Sequence, residues 1–563
     1  MYHWALVSNT TIAPLVPRLK QAVKRNGTDC EFFVAEYGDS NKQIFSPGSD
    51  LYTFRPDLIV LYLDIQQFKP MFELSVPFET PENRESLIEE VLGEVTGMTK
   101  AIRKNTPAAL LTNNFPVQPR TVLGIGLDPV YKNTLRHLNQ RLYQTLSDLQ
   151  GSYVFDCDGL WAEVGFEEYD RRFEMIAQFP FGVKMQQALV NEWMRFFRAL
   201  NGLTRKCIVV DLDNTLWGGI LGEDGPDGIC MGDTPEGRPF RRFQQALKAL
   251  SRRGLLLAIN SKNDMADVKS VFQQHPDLVL RESDFATMQI NWDDKATNLA
   301  RIARELNIGL QHLVFLDDNP AERAWVRERH PEVLVVELPQ DTAKYADILS
   351  HCETDTLVVT GEDLKRAQMY QEERQRREFQ AEAPSFEHFL NNLGLKVGIE
   401  PVGSALLERA AQLCQRTNQF NLTTRRHTVE ALTQFTRSPL SGVLLMRAQD
   451  RFGDYGWSGL AITKVEGTHA LIDTFLLSCR VMGKNAEFAL IAAVAKWAGD
   501  RGCTHINGLY LPTSKNLPCK DFLEQCGLKK ITGRAGEPGQ AYEAKLADLQ
   551  IQRTDHLKIS MNL

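Results

Sequence analysis

The first two hundred residues alternate between apolar runs and amphipathic stretches. The run at 57–63, DLIVLYL, is almost entirely apolar, which is typical of a strand buried on both faces of a parallel sheet. Apolar residues then recur at helical spacing over 87–102 and predict an amphipathic helix. Shorter apolar runs predict further strands at 1–7, 108–112 and 153–155. Strands that alternate with helices in this way predict a doubly wound α/β sheet.

A second unit opens near Thr204 and repeats this alternation. Helical patterns, such as the apolar positions between 240 and 250, separate its apolar runs. These runs predict strands at 207–212, 255–260, 313–316 and 333–336. Because helical crossovers join the strands, we expect them to be parallel.

The pattern changes after residue 362. Residues 363–383 are dense in charge and end at Pro384, which is typical of a solvated helix that links two domains. Beyond it, helices are mixed with strands that look antiparallel, at 442–447, 460–464 and 471–477, which predicts an α+β domain. The predicted segments of this α/β multidomain chain are therefore 1–200, 201–362, 363–384 and 385–550.

Composition and charge exclude several classes of protein. Hydrophobic residues make up 43% and charged residues 24% of the 563 residues, the balance of an ordinary globular protein. The net charge of -7 lacks the positive field of a nucleic-acid-binding protein, and no apolar stretch is long enough to span a membrane. The 10 cysteines include no C-x-x-C pair. We expect a cytoplasmic protein with reduced thiols that binds neither nucleic acid nor membrane.

Pairs of aspartates follow two of the predicted strands in the second unit. Asp211 and Asp213 come at the end of one apolar run, and Asp317 and Asp318 follow another. Ligands of open α/β sheets bind beyond the carboxyl ends of the strands. Carboxylates this close repel each other, so a hard divalent cation such as Mg²⁺, which prefers oxygen ligands, is their natural partner.

Two further polar groups stand at strand ends of the same unit. Ser261 follows the strand predicted at 255–260, and Lys295 precedes a helix predicted at 296–306. A cation site, a hydroxyl and an ammonium are what phosphoryl transfer requires. The metal and the lysine neutralise phosphate oxygens while a carboxylate attacks in line.

In kind and order these elements resemble the four motifs of the haloacid-dehalogenase-like (HAD) phosphotransferases. The elements are Asp211-x-Asp213-x-Thr215, Ser261, Lys295 and Asp317-Asp318. A lone D-x-D pair would be a weak signal, because acidic pairs are common on surfaces, but four elements in order are specific. The resemblance implies that Asp211 is the nucleophile that forms an aspartyl-phosphate, and that Asp213 is the general acid/base.

The same resemblance implies roles for the remaining site residues. The phosphate-binding residues would be Thr215, Ser261, Lys262 and Lys295. The Mg²⁺ ligands would be Asp211, Asp213 through its backbone carbonyl, and Asp317. Asp318 is either a further metal ligand or the cap of the following turn.

Longer strings resemble the FkbH-like branch of that superfamily. They are DLDNTLWGGILGEDGPDGI, AINSKND and NWDDKATN in the second unit, RTNQFNLTTRR, DRFGDYGWSG and LSCRVMGKNAE in the third, and NTTIAPLVPRLKQAV and FVAEYGDSNKQIF in the first. The resemblance implies dephosphorylation of D-1,3-bisphosphoglycerate, a phosphorylated three-carbon acid. It also implies transfer of the glyceryl group, as a thioester, to the phosphopantetheine thiol of an acyl carrier protein in polyketide-type biosynthesis.

An enzyme-bound glyceryl thioester would need a cysteine near the site. Cys230 follows the glycine-rich stretch 218–228 and is the nearest candidate in sequence, and the alternative, a small apolar filler, stays open. The interval between Thr215 and the strand at 255 has room for a flap but not for a large cap domain. We therefore expect the site to be open to a macromolecular partner.

The two flanking units resemble other enzyme folds. The third resembles a GNAT-type acyltransferase, in which Arg480 and Gly483 lie in a turn that can cradle a pyrophosphate and Asn516 falls where that fold has its asparagine. These residues are candidates to bind coenzyme A or phosphopantetheine. Asn485 departs from the usual pattern, which has a small residue there, and a purely structural module stays an alternative.

The first unit resembles an SGNH-hydrolase-type α/β domain in topology. Its Gly38-Asp39-Ser40 does not directly follow the first strand, where that nucleophile belongs. Trp161 stands where a D-x-x-H element needs histidine. We therefore expect this unit to be non-catalytic and to take part in docking a partner.

Other functions are compatible with the sequence. One is a phosphatase of another small phosphorylated metabolite, which shares every HAD motif. A second is an acyl-CoA-dependent acyltransferase with an ancillary HAD domain, and a third is a docking scaffold without turnover. Fold carries over more safely than chemistry, since one scaffold hosts many reactions.

Overall fold

The apolar runs of the first unit form one parallel sheet. Its strand order is β2-β1-β3-β4-β5, and every neighbouring pair is parallel. The central strand β3 is buried at all of its positions, which explains why its sequence is apolar without alternation. The strands are β1 (Tyr2–Ser8), β2 (Cys30–Val34), β3 (Leu58–Tyr62), β4 (Ala109–Asn113) and β5 (Ser152–Phe155).

The computed structural model describes residues 2–359, 361–364, 369, 372, 375–376, 379–380, 382–513, 515–531, 539–551 and 554–563. The chain divides into two compact units, Met1–Leu203 and Thr204–Leu563. Across the described residues, no helix has both the length and the apolar character needed to cross a membrane.

Helices cover both faces of the first sheet. Pro81–Asn105 begins at Thr80, whose hydroxyl accepts a hydrogen bond from the Asn83 N–H, and turns an apolar stripe that includes Val91 and Val95 toward the core. The predicted amphipathic helix is therefore confirmed. The helices of this unit are Val16–Arg25, Ser40–Phe45, Asp50–Thr53, Ile65–Phe68, Phe72–Ser75, Pro81–Asn105, Gly124–Ser147, Cys157–Val164, Arg171–Ala177 and Val183–Asn201.

The second unit begins with another parallel sheet, in the order β10-β9-β6-β7-β8. Its strands are β6 (Cys207–Val210), β7 (Leu256–Ser261), β8 (Thr287–Ile290), β9 (Leu313–Leu316) and β10 (Leu334–Val335). β8 was not predicted, because its short sequence TMQI is only partly buried and carries a glutamine. The helices around this sheet are Leu221–Asp224, Arg238–Arg252, Met265–Gln274, Lys295–Glu305, Pro320–Arg329 and Tyr345–Ile348.

The rest of the second unit contains a mainly antiparallel sheet, ordered β17-β18-β16-β15-β14-β13-β11-β19, with β12 paired to β15. The strands are β11 (Lys396–Pro401), β12 (Phe420–Asn421), β13 (Ser441–Gln449), β14 (Asp454–Glu466), β15 (His469–Leu477), β16 (His505–Tyr510), β17 (Lys529–Ile531), β18 (Gln540–Lys545) and β19 (Lys558–Met561). The helices are Gly361–Leu364, Phe386–Leu393, Leu407–Arg416, Val429–Arg437, Ala486–Gly499 and Phe522–Gln525. Helices packed on an antiparallel sheet confirm the predicted α+β architecture.

Half of the charged stretch predicted at 363–384 as a solvated helix lies outside the described residues. One residue that the structure does describe, Arg376, is only 3% exposed. Its guanidinium lies 2.6 Å from the Asp450 carboxylate and 4.0 Å from the ring centre of Tyr455. At Arg376 the expected solvated face is therefore wrong, since a buried ion pair and a cation–π contact hold this residue.

The acid sensitivity of the second unit is predicted to depend on His312. Burial lowers the pKa of this imidazole to about 4, and the positive charge of Lys206 acts in the same direction. In the unfolded chain the pKa is about 6.5, so protons bind preferentially to the unfolded chain as the pH falls from about 6.5 to 4. The contribution of neutral, buried His312 to the free energy of unfolding is therefore complete above pH 6.5 and is lost as the pH falls from about 6.5 to 4. Because His312→Gln lacks this titrating group, we expect acid to destabilise the variant less than the wild type, by roughly 1–2 kcal/mol after allowance for solvent screening.

The measurement is thermal unfolding of the two proteins at pH 7.5 and pH 5. The exposed His351, in the same unit, gives the matched control His351→Gln. The prediction is wrong if the melting temperature of His312→Gln falls by as many degrees between pH 7.5 and pH 5 as that of the control.

Candidate active site

The four predicted motifs meet at one edge of the β10-β9-β6-β7-β8 sheet. Asp211 directly follows β6 and Asp317 directly follows β9, and these two strands are neighbours. Ser261 ends β7, and Lys295 begins the helix that follows β8. Because the strands are parallel, their carboxyl ends bring these residues to the same side of the sheet.

Lys295 lies at the centre of the site and is only 3% exposed. Its Nζ is 2.9 Å from Asp211 Oδ2 and 2.5 Å from Asp317 Oδ2. Burial acts to lower the pKa of this ammonium, but the two carboxylates outweigh burial and the net pKa is raised. The site therefore holds a permanent positive charge between two strand ends.

Three carboxylates surround this one ammonium. Ligand oxygens of Asp211, Asp317 and Asp318 all lie within 4.8 Å of one another. Burial and the charge of Asp211 raise the pKa of Asp317 to about 6, although Lys295 opposes the shift. Burial and Asp211 likewise raise the pKa of Asp318. The ammonium leaves an excess of negative charge at the site.

A second observation indicates what would balance that charge. Asp211 Oδ1 is buried and has no hydrogen-bond partner among the residues that the structure describes. A buried carboxylate that lacks a donor at one oxygen is costly unless a cation lies close enough to balance its charge. The donor set is all oxygen, which suits a hard divalent cation. Asp211, Asp317 and Asp318 thus fit a metal ion.

The Asp213 carboxylate lies outside this group of three and is held by other partners. Its Oδ1 accepts hydrogen bonds from Trp217 Nε1 at 3.0 Å and from the Leu221 N–H at 3.1 Å. Its Oδ2 accepts one from Asn263 Nδ2 at 3.0 Å. The predicted metal contact through the Asp213 backbone carbonyl stays a prediction.

Asn263 also connects the second motif to the first. Its Nδ2 donates to Ser261 Oγ at 3.2 Å as well as to Asp213. Trp217 and Asn263 were missed at the level of sequence, although each lies within four residues of a motif residue. The only hint in the sequence is that both are polar side chains close to a motif residue. Sequence alone does not tell which way such a side chain points.

Thr215 and Arg323 hold the loop that carries the second acidic pair. Thr215 is fully buried, and its hydroxyl accepts a hydrogen bond from the Asp318 N–H at 3.1 Å. Arg323 donates to the carbonyls of Asp317 and Asp318 from the helix that follows. The structure thus shows the Thr215 hydroxyl in contact with the acidic loop, and its predicted phosphate contact stays untested. Arg323 was not singled out from the sequence.

Two other predicted residues have partners outside the group of three aspartates. Lys262 is more than one-third exposed, and its Nζ pairs with Glu322 at 2.6 Å. Cys230 is partly buried in the flap, where its backbone N–H and C=O both pair with Gly218. Phosphate binding by Lys262 and acyl transfer by Cys230 therefore stay predictions.

The candidate cofactor residues of the third predicted segment lie in two places. Arg480 and Gly483 occur in the turn between β15 and the helix Ala486–Gly499, as expected. Asn516 is fully buried, and its Nδ2 donates to the carbonyls of Asn421 and Leu511. Asn516 therefore presents no surface to a ligand in this structure, whereas coenzyme A binding by Arg480 and Gly483 stays untested.

The candidate hydrolase residues of the first unit also have structural partners. Ser40 begins a helix after β2 rather than after β1. Asp158 accepts a hydrogen bond from the Val117 N–H, and Trp161 is buried against Phe166. None of these contacts brings a nucleophile together with a base. That this unit is non-catalytic stays a prediction.

The ion pairs of Lys295 are predicted to stabilise the metal-free protein. Lys295→Met would leave the buried Asp211 and Asp317 carboxylates without a cation, which typically costs about 3–5 kcal/mol. The exposed Lys269→Met is the matched control. Urea unfolding at pH 7 in the presence of EDTA measures the difference, and equal midpoints for the two variants would contradict the prediction.

Comparisons with known proteins find one family and several solved structures that resemble parts of this chain. Residues 4–194 match the family "FkbH, N-terminal domain". The structure of the N-terminal part of the protein BF1531 from Bacteroides fragilis, containing a phosphatase domain complexed with Mg, is 28% identical with a TM-score of 0.57. The match covers 63% of this chain and 94% of that chain. No curated protein matches the sequence.

Two acetyltransferase structures match with low TM-scores. The ribosomal-protein-S18-alanine N-acetyltransferase from Escherichia coli is 13% identical, covers 26% of this chain and 90% of its own, and has a TM-score of 0.21. An acetyltransferase of the GNAT family from Staphylococcus aureus Mu50 is 9% identical, covers 27% and 99%, and has a TM-score of 0.22.

The predicted FkbH-like resemblance is confirmed over 4–194, and the four motif positions occupy one sheet edge. Residues 4–194 of the chain therefore match an FkbH N-terminal domain, and over 63% of its length the chain is similar in fold to the Mg-bound phosphatase structure from Bacteroides fragilis.

Proposed function

We propose that the chain is a Mg²⁺-dependent phosphatase and glyceryl transferase in which Asp211 attacks a phosphoryl group. The observation that carries the proposal is the position of Lys295 between Asp211 and Asp317, with the second oxygen of Asp211 left without a hydrogen bond. One oxygen of the nucleophile is thus oriented by an ammonium, and the other is available to react.

The reaction of the phosphatase step follows from these positions. Asp211 Oδ1 forms a bond to phosphorus as the bond from phosphorus to the leaving oxygen breaks. The leaving oxygen takes a proton from Asp213, and Asp213 then removes a proton from the water that hydrolyses the aspartyl-phosphate. The Lys295 ammonium stabilises the negative charge on the transferring oxygens. Three donors hold the Asp213 carboxylate in place for both proton transfers.

The metal would be held by Asp211, Asp317 and Asp318, the three carboxylates that lie close together. Bound Mg²⁺ supplies positive charge that polarises the phosphoryl group and offsets its repulsion by the carboxylates. The Bacteroides fragilis relative was crystallised with Mg, which supports this assignment for the present chain.

The finer part of the proposal concerns the acyl group. D-1,3-bisphosphoglycerate is the proposed substrate, and the phosphopantetheine thiol of an acyl carrier protein is the proposed acceptor. A thiolate attacks the C1 carbonyl carbon, the new C–S bond forms, and the C–O bond to the 1-phosphate breaks with release of phosphate. The Asp211 step removes the remaining 3-phosphate, which water releases from the aspartyl-phosphate as inorganic phosphate, so that the thioester carries an unphosphorylated glyceryl group. The short flap between β6 and β7, with its helix Leu221–Asp224, supports access by a large partner.

The phosphatase step is predicted to depend on Asp211 and on divalent metal. Asp211→Asn removes the nucleophile and lowers phosphate release by at least about 10³-fold, or roughly 4 kcal/mol of barrier. EDTA abolishes the activity and added Mg²⁺ restores it. Phosphate release from D-1,3-bisphosphoglycerate and from a panel of phosphorylated metabolites is the measurement. Asp293→Asn, which changes an exposed carboxylate in a neighbouring loop, is the control. Full activity of Asp211→Asn would sink the proposal.

The transferase step is predicted to add a glyceryl mass to the carrier protein. Intact-mass analysis of a phosphopantetheinylated carrier with enzyme, Mg²⁺ and D-1,3-bisphosphoglycerate measures it, beside Cys230→Ser. Loss of transfer with phosphate release retained would make Cys230 the intermediate acyl carrier. Unchanged transfer in Cys230→Ser would remove that cysteine from the reaction. Phosphate release with no mass gain in the wild type would leave a phosphatase of another role.

A further inference from the structure

Arg323 lies beneath the acidic loop of the phosphatase domain and is only 6% exposed. It is on the helix Pro320–Arg329, which follows Asp317 and Asp318 directly. Its Nη1 donates to the Asp317 carbonyl at 2.6 Å and to the Asp318 carbonyl at 2.7 Å. One buried guanidinium therefore contacts the backbone of both acidic residues and neither of their carboxylates.

The same loop is held from the other side by the first motif. Thr215 accepts the Asp318 N–H at its hydroxyl, and the Asn319 N–H donates to Asp317 Oδ1 at 2.9 Å. Backbone and side chain of the loop are therefore fixed at consecutive residues. A loop bound on both sides has little freedom to move its carboxylates relative to Asp211, which directly follows the neighbouring strand β6.

Glu337 anchors the guanidinium that makes these contacts. Arg323 Nη2 lies 2.8 Å from Glu337 Oε2, and Arg327 pairs with the other oxygen of the same carboxylate. Arg327 also donates to the Val335 carbonyl and is 42% exposed. A planar guanidinium can bind a carboxylate with one nitrogen and two carbonyls with another, which a lysine ammonium on a flexible stem cannot reproduce.

We propose that Arg323 is a positioning residue for the cation site, acting through the backbone of Asp317 and Asp318. The inference rests on the proposed function, in which these two carboxylates hold Mg²⁺. The hydrogen bonds from Arg323 to the loop backbone position two of the three carboxylates before the metal binds, so that metal binding does not have to order the loop. Partners that orient metal ligands in this way typically contribute 10–100-fold to metal affinity.

The test measures Mg²⁺ binding to the full chain directly, by isothermal titration calorimetry, with the Mg²⁺ concentration for half-maximal phosphate release as a second readout. Arg323→Lys keeps the positive charge but lacks the planar guanidinium that contacts the two carbonyls and Glu337. We expect the dissociation constant of this variant for Mg²⁺ to rise about 10-fold or more. Arg327→Lys is the matched control, since it changes the other partner of Glu337 without touching the loop. We expect the control to stay within about twofold of the wild type.

Glu337→Gln provides a variant that leaves Arg323 in place and removes its anchor. We expect it to weaken Mg²⁺ binding by a smaller factor in the same direction, with KM for the phosphorylated substrate unchanged at saturating Mg²⁺. Circular dichroism and thermal melting in EDTA show which variants keep the fold. If only one of Arg323→Lys and Glu337→Gln folds, that variant alone is compared with the Arg327→Lys control.

The outcomes separate this inference from the function on which it rests. A wild-type protein that binds no Mg²⁺ overturns the proposed metal-dependent function itself. A wild-type protein that binds Mg²⁺, with folded Arg323→Lys indistinguishable from Arg327→Lys, overturns the positioning role alone. A loss of affinity confined to Arg323 and Glu337 supports it.

Discussion

The structure around the β10-β9-β6-β7-β8 sheet depends on one buried ammonium surrounded by carboxylates. Lys295 pairs with both Asp211 and Asp317, and Asp318 lies close enough to add a third negative charge. The parallel register of β6 with β9 forces these carboxylates together, whatever their repulsion. Asn260, at the core of β7, donates to the Lys295 carbonyl and fixes the start of the lysine's helix. The fold thus holds like charges close together, and the surplus negative charge makes the site suitable for a cation.

Much of the fold could be predicted from the sequence because local patterns determine it. The runs that became β3 and β9 are apolar without interruption, and the helix Pro81–Asn105 has its apolar residues on one stripe. The short strand β8 escaped prediction, since TMQI has neither length nor a clear apolar pattern. Strand pairing defines it, and pairing depends on residues far away in the chain.

The chemistry of the site divides in the same way. Asp211, Lys295 and Asp317 could be named from their motif positions, because a strand end fixes where a side chain begins. The partners of Asp213, by contrast, depend on the course of the flap and on the orientation of Trp217 and Asn263. Arg323 was invisible for a similar reason, since an arginine six residues after an aspartate has no special meaning until the loop between them folds back. Contacts that close a loop are set by tertiary structure.

The buried pair of Arg376 and Asp450 bears on where the carboxyl-terminal domain begins. Composition places the domain start near 385, after the charged stretch. Asp450 has a fully buried side chain, however, and its cation is supplied by Arg376, from within that stretch. A fragment cut at 385 would keep the aspartate and discard its counter-ion, and Tyr455 would lose the charge that lies over its ring. The buried contacts of this domain therefore reach upstream to Arg376, and a fragment made for expression or for grafting onto another protein should include that residue.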